Sequence, residues 1–231
     1  MNTQKILAGA VLAASAVSLA VAPAAVASGT LPKVSVRVEG AKKTLLRATT
    51  VQPKRGWITR SGAPKGKCSA ASAQGALGLA TKGRWKGTWS KTYDEYFITG
   101  ILGETESGTK RYWEVFVNDK AATTGTCQIA IRKGEKLLFA AVPATGTETP
   151  TGITGPKMAT AGVPFTVTVV LYNAKGKPHA LKGATVTGGA VKATTNAKGQ
   201  ARIETTHTGR IVLTASKKGE IRSETVVKVA V

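Results

Sequence analysis

The chain has 231 residues, with 33 Lys+Arg against 12 Asp+Glu and a formal net charge of +21. Two Cys and two His leave few ligands for a Cys/His metal centre, and a charge of this size speaks to partners and solubility rather than to fold. Outside a bacterial cell the abundant anions are teichoic acids, acidic polysaccharides, lipid headgroups and released DNA; the plainer role of so many lysines is to keep a protein soluble.

Residues 1–27 read as a secretory signal peptide. Lys5 precedes an apolar run from Ile6 to about Ala22, and Ala25-Val26-Ala27 places small residues ahead of Ser28. The uncharged stretch is long enough to span a bilayer, so a membrane anchor is the competing reading. The Ala-rich composition and the Ala-Val-Ala site favour cleavage after Ala27. No Cys stands at position 28 and no Arg-Arg pair precedes the run, which points to the general secretory route without lipid attachment. The mature chain is then expected outside the cell, with no transmembrane segment, either released or held non-covalently. In an oxidising compartment Cys68 and Cys127 are expected to form a disulfide, with a free thiol pair as the alternative.

The first domain is placed at residues 33–142. Val34, Val36 and Val38 alternate with Ser35, Arg37 and Glu39, the period of a half-buried strand. A Lys/Gly/Pro-rich loop follows from Gln52 to Lys67. The one good helix candidate runs from Ser69, as N-cap, to about Lys82, with Gly83 as its stop and Ala73, Ala76, Leu77 and Ala80 as a narrow apolar face. Strands are expected at Tyr96–Leu102, Tyr112–Asn118, Thr126–Ile131 and Lys136–Val142, giving an α+β domain with one helix on a mixed or antiparallel sheet. A Pro/Gly/Thr stretch at 143–150 reads as the linker.

The second domain, residues 151–231, has almost pure strand chemistry. Strands are expected at Phe165–Leu171, Ala184–Thr187, Gln200–Thr205, Arg210–Ala215 and Thr225–Val231. Asn173-Ala174-Lys175-Gly176 and Asn196-Ala197-Lys198-Gly199 are one four-residue turn used twice. Asn starts such a turn by bonding nearby backbone, and Gly supplies a positive φ at its end. Short, regularly spaced strands without a helix pattern predict a β-sandwich, and the chain as a whole is predicted to be mostly β.

Several stretches carry family likenesses. Val34–Glu39 with Thr44-Leu45, Cys68 before the Ala-rich helix, Trp85, Tyr96–Gly103, Tyr112–Asn118 and Gly134–Phe139 together resemble bacterial secreted domains of unknown function related to the transcobalamin C-terminal domain. That resemblance implies a β-grasp-like fold and suggests an extracellular small-molecule carrier, for a corrinoid-like nutrient. Ala161–Val167 and Thr195–Ala201 resemble bacterial Ig-like repeats of adhesins and invasins, which implies a spacer or adhesive role.

Catalytic chemistry is poorly supplied. His179 and His207 have no marked serine to serve, and Ser107-Gly108-Thr109-Lys110 matches Ser-x-x-Lys in a hairpin loop without companion motifs. Gly62–Lys67 resembles a phosphate loop but lacks its spacing and carries Pro64 where backbone N–H groups should converge. Asp94-Glu95, Glu104 and Glu106 read as local compensation of basic charge. No enzyme, cofactor or metal is expected.

One segment stands out for binding. No acid occurs from Gly40 to Tyr93, while Lys42, Lys43, Arg47, Lys54, Arg55, Arg60, Lys65, Lys67, Lys82, Arg84, Lys86 and Lys91 do, interleaved with Trp57, Trp85 and Trp89. Cations attract an anionic polymer, and indole faces stack on sugar rings or bases. The competing reading packs Trp85 and Trp89 beneath the helix. The candidate site comprises Lys54, Arg55, Trp57, Arg60, Lys65, Lys67, Arg84, Trp85, Lys86 and Trp89. The expected function is a secreted or surface-associated binding or adhesion protein for anionic wall polymers or glycans, with nucleic acid not expected as a specific partner. A flat basic face would favour that function, and an aromatic-lined pocket the carrier.

Overall fold

The structure, a computed structural model, describes residues 30–231; the expected signal peptide and its cleavage site at Ala27 lie outside the described residues. Among the described residues the chain is mostly β, with one α-helix. The first unit contains β1 (Val34–Glu39), β2 (Thr44–Val51), β3 (Trp57–Ile58), β4 (Cys68–Ser69), α1 (Ala73–Ala80), β5 (Trp85–Ser90), β6 (Glu95–Ile101), β7 (Glu104–Thr105), β8 (Arg111–Val117), β9 (Lys120–Ala121) and β10 (Lys136–Pro143). A five-stranded sheet runs β2-β1-β10-β8-β9, with β1 and β10 parallel. A separate three-stranded sheet, β5-β6-β7, and the β3-β4 pair complete the unit.

The helix is shorter than its sequence pattern suggests, and the reason is local. Ser72, not Ser69, is the N-cap, its hydroxyl accepting from the Gly75 N–H. Ser69 instead accepts from the Ala71 N–H, and Ser69 itself pairs with Trp57 in the β3-β4 hairpin. At the far end Gly83 takes φ +73° and donates to the Gly78 carbonyl, the expected stop.

The strand expected at Thr126–Ile131 does not form. This segment is a loop that serves the helix: Ala73 N–H donates to the Ile129 carbonyl and Gln74 N–H to the Thr126 carbonyl. The first helical N–H groups have no partner within a helix. Here the loop supplies them, and its β-branched residues are spent on capping rather than on a ladder. A disulfide joins Cys68 to Cys127, both buried, and fixes this loop to β4.

The second unit contains β11 (Thr151–Thr154), β12 (Met158–Thr160), β13 (Phe165–Tyr172), β14 (Pro178–Ala180), β15 (Thr185–Gly188), β16 (Val191–Thr194), β17 (Gln200–Ile203), β18 (Gly209–Ser216) and β19 (Ser223–Ala230). One sheet holds β11-β13-β14 with β17 also on β13; the other runs β12-β19-β18-β15-β16. Inward residues of both, among them Val167, Val169, Leu213 and Val227, form one apolar core. The repeated turn is built the same way twice. Asn173 Oδ1 accepts from Lys175 and Lys177 N–H at 2.9 and 3.0 Å, and Asn196 Oδ1 from Lys198 and Gln200 N–H at 2.9 and 3.0 Å. Gly176 and Gly199 both sit at φ +72°.

The two units share a buried interface. Along β10, Leu137, Phe139 and Ala141 enter the first core, while Leu138, Ala140 and Val142 pack with Phe116 against Ile221 of the second unit. The polar face of β1 is covered as well. Glu39 is 1% exposed and meets Arg37 at 3.1 Å, Arg222 of the second unit at 3.3 Å and the Thr44 hydroxyl at 3.0 Å. Burial raises the Glu39 carboxyl above its usual range, against the opposing pull of Arg37 and Arg222. Arg111–Glu148 and Arg47–Glu224, each at 3.1 Å, extend the contact.

Candidate functional site

Strands β3 and β4 pair as a short hairpin and carry the 59–67 loop between them. The disulfide at Cys68 ties its base to the first core. Lys54, Arg55, Trp57 and Lys65 are all exposed on this hairpin and its approach, Trp57 to 52%. Lys67 is exposed too and pairs with Asp94 at 3.0 Å, a solvated contact worth little.

Arg60 connects this surface to a second basic group. Its guanidinium donates to the Gly83 carbonyl and lies 5.0 Å from the Trp85 ring centroid. Around it Arg84, Lys86, Leu102 and Glu104 enclose a recess of about 440 Å³. Lys42, Lys43 and Arg47 lie apart, in a recess against Thr187, Thr214 and Ser216 of the second unit. The acid-free stretch therefore serves two surfaces, not one.

Two of the expected contact residues do not face solvent. Alternation along β5 sends Lys86 and Thr88 outward and turns Trp85, Gly87 and Trp89 inward. Trp85 is 3% exposed, and both indoles meet Tyr96 edge-on with ring centroids 5.1 Å apart. Trp89 is half-buried, its indole N–H fully so. Both belong to packing, as the competing reading had it. The Tyr96 hydroxyl donates to the Arg60 carbonyl, so this aromatic stack also steadies the basic loop.

A second feature went unread in the sequence. A cleft of about 480 Å³ opens between β6 and β8, which belong to different sheets and share no ladder. Each presents a partly unpaired edge: β7 covers only Gly100 and Ile101 of β6, and β9 only Phe116 and Val117 of β8. Phe97 and Tyr112 stand exposed on the two walls, to 54% and 41%, and Trp113 forms part of the inner surface. Three carboxylates line the cleft. Glu95 is consumed structurally, accepting from Tyr96 N–H, Cys127 N–H and the Thr126 hydroxyl at 2.9, 2.9 and 2.6 Å. Glu114 accepts from the Tyr112 hydroxyl at 2.7 Å, which holds that phenol up to about 12. Glu106 is raised above the usual carboxylate range by desolvation and by Glu104 beside it. The available signal was the charge reversal in sequence: five acids occupy Asp94–Glu114 immediately after the acid-free stretch.

Ser107 and His179, singled out in the sequence, both lie at the surface. Ser107 bonds Thr109 at 2.9 Å in an exposed loop, and His179 rests on Asn173 at the surface. Among the described residues no group of three or more His, Cys, Asp or Glu is placed to hold a metal ion. No helix among them is long and apolar enough to cross a membrane.

No curated protein matches this chain. Two solved structures are similar over part of it: the complex of Porphyromonas gingivalis RgpB pro- and mature domains, and the Arg-specific cysteine proteinase gingipain R (RGPB). Each is 17% identical over 46% of this chain, with a TM-score of 0.28. The chain spans 24% and 23% of their respective lengths, about a quarter. Every residue lining the aromatic cleft falls between Glu95 and Thr126. Residues 84–141, which run from β5 into β10 and so supply all of those walls, match the model of a domain of unknown function, DUF4430.

Proposed function

We propose that the protein is an extracellular binding protein that captures anionic polymers, such as wall polymers or acidic glycans, on its basic hairpin surface. The observation that carries this reading is the exposed set Lys54, Arg55, Trp57 and Lys65, continued through Arg60 to Arg84 and Lys86. Cations at this spacing neutralise successive charges on a polymer, and the free indole of Trp57 offers a stacking face to a sugar ring. The Ig-like second unit would hold this surface away from its point of attachment or add a contact of its own. A small-molecule carrier is the second reading, favoured by the aromatic cleft and by the likeness to the transcobalamin C-terminal domain.

Binding of the full chain to a polyglycerol phosphate should fall steeply with salt, since counterion release accompanies each neutralised charge. Combining Lys54→Ala, Arg55→Ala and Lys65→Ala should lower affinity at least tenfold and flatten the plot of log affinity against log salt. Trp57→Ala should weaken binding by about tenfold with an unchanged slope, because stacking displaces no ions. Lys175→Ala with Lys198→Ala, at the two repeated turns, is the control. If that pair costs as much as the hairpin triple, the attraction is diffuse charge and the site is wrong.

A further inference from the structure

We infer that the cleft between β6 and β8 is a binding site for an organic ammonium ion carried on an apolar or aromatic body. The inference rests on the carrier reading above and narrows it to a ligand class. Three independent features point the same way.

The first is charge. The chain carries 33 Lys+Arg against 12 Asp+Glu, yet among the described residues no Lys, Arg or His lines this cleft, while Glu95, Glu106 and Glu114 do. In so basic a protein, this largely apolar recess has only acids among its charged lining residues. An anionic ligand would find the basic recess beside Arg60 or the hairpin; this cleft repels it. Long-range attraction cannot bring a cation to a molecule of net charge +21, so recognition here must come from short-range contacts.

The second is the wall. Phe97 from β6 and Tyr112 from β8 line the opening, and Phe97, of a residue type that is mostly buried, is more than half exposed. Aromatic faces attract ammonium groups through their negative quadrupole, and they bury the apolar body of the same ligand. A recess of about 480 Å³ lies within the range of small-molecule sites.

The third is the inner wall and its carboxylates. Trp113 is 8% exposed and lines the cleft, while its indole Nε1 is closed off from solvent and has no acceptor among the described residues, so a ligand meets the ring and not this donor. Among the carboxylates, Glu95 is already used by three protein donors and Glu114 by Tyr112. Glu106 is left as the counter-ion: burial and its neighbour Glu104 disfavour its charge, with Arg111 the one opposing influence, and a bound cation would relieve that cost.

Three probes of matched shape separate charge from apolar contact: phenethylamine, 2-phenylethanol and phenylacetate. They are titrated into the nitrogen-15-labelled full chain, with the Trp113 indole resonance as the readout. The amine should bind at least tenfold more tightly than the alcohol, and phenylacetate should leave the resonance unmoved. Glu106→Gln should bring the amine to within about twofold of the alcohol without changing the alcohol's own affinity. Phe97→Ala should weaken both, and an otherwise preserved amide spectrum shows that each variant folds. Equal binding of amine and alcohol would overturn the ammonium assignment while leaving a small-ligand cleft standing. No movement of Trp113 with any probe would overturn both.

Discussion

Replacing Cys68 and Cys127 together with alanine is expected to cost roughly 4 kcal/mol of stability, the chain-entropy value for a closed loop of this size. The two residues are separated by 59 positions. The effect should exceed an entropic staple in one respect. The bridge anchors the loop whose Ile129 and Thr126 carbonyls accept the first helical N–H groups, so its loss also loosens the N-terminus of α1. Urea denaturation of oxidised and doubly substituted protein measures the difference, and hydrogen exchange at Ala73 and Gln74 should accelerate more than at the core strand β10. A loss below about 1 kcal/mol would mean that hydrogen bonding alone holds the loop, against the usual cost of removing a native disulfide.

Glu39→Ala should be nearly as damaging, by about 3 kcal/mol, because it leaves two guanidinium groups facing a buried gap. Arg37 and Arg222 retain 14% and 20% of their side-chain exposure, so partial rehydration keeps the cost at the lower end of the range for broken buried pairs. A double-mutant cycle with Arg222→Ala isolates the part that crosses between the units, and it should return a coupling above 1 kcal/mol. The pH dependence has a definite direction. Since burial raises the folded carboxyl above its unfolded value, the folded state binds the proton more tightly. The stability this group contributes is complete below the unfolded value near 4.5 and is lost as pH rises through the folded value. Glu39→Gln, which mimics the protonated form, should flatten that slope. If wild type and the Gln variant show parallel pH profiles, the carboxyl is ionised and fully compensated by its two arginines.

Much of the fold is legible in sequence wherever one physical signal dominates. The alternation of Val34, Val36 and Val38, the doubled Asn-Ala-Lys-Gly turn and the Gly83 stop all act locally, and each is found where its pattern places it. The misses have a common origin in tertiary demand. The Thr126–Ile131 segment has strand composition but is recruited to cap a helix. Glu39 belongs to the polar face of a half-buried strand, and a second unit covers that face. The continuous apolar run Leu137–Val142 carried that information, since a strand apolar on both sides needs two coverings. Of the candidate site residues, the outward positions of the hairpin could be read from charge. The inward turn of Trp85 and Trp89 needed the β5 register, and the aromatic cleft needed two strands from different sheets.

The parallel pairing of β1 with β10 sets an order in time as well as in space. Ser35 faces Lys136, so the central pair of the large sheet joins points about a hundred residues apart in the chain. Strand β1 can meet β2 early, through a short connection, but its other edge stays open until β10 has been delivered. Pairings of such long sequence separation close slowly, because loop entropy is surrendered before any contact repays it. An intact Cys68–Cys127 link lets the path between β1 and β10 bypass most of the intervening chain. Oxidation before the sheet closes should therefore speed refolding, while a chain that stays reduced leaves a valine-rich edge exposed to other molecules for longer.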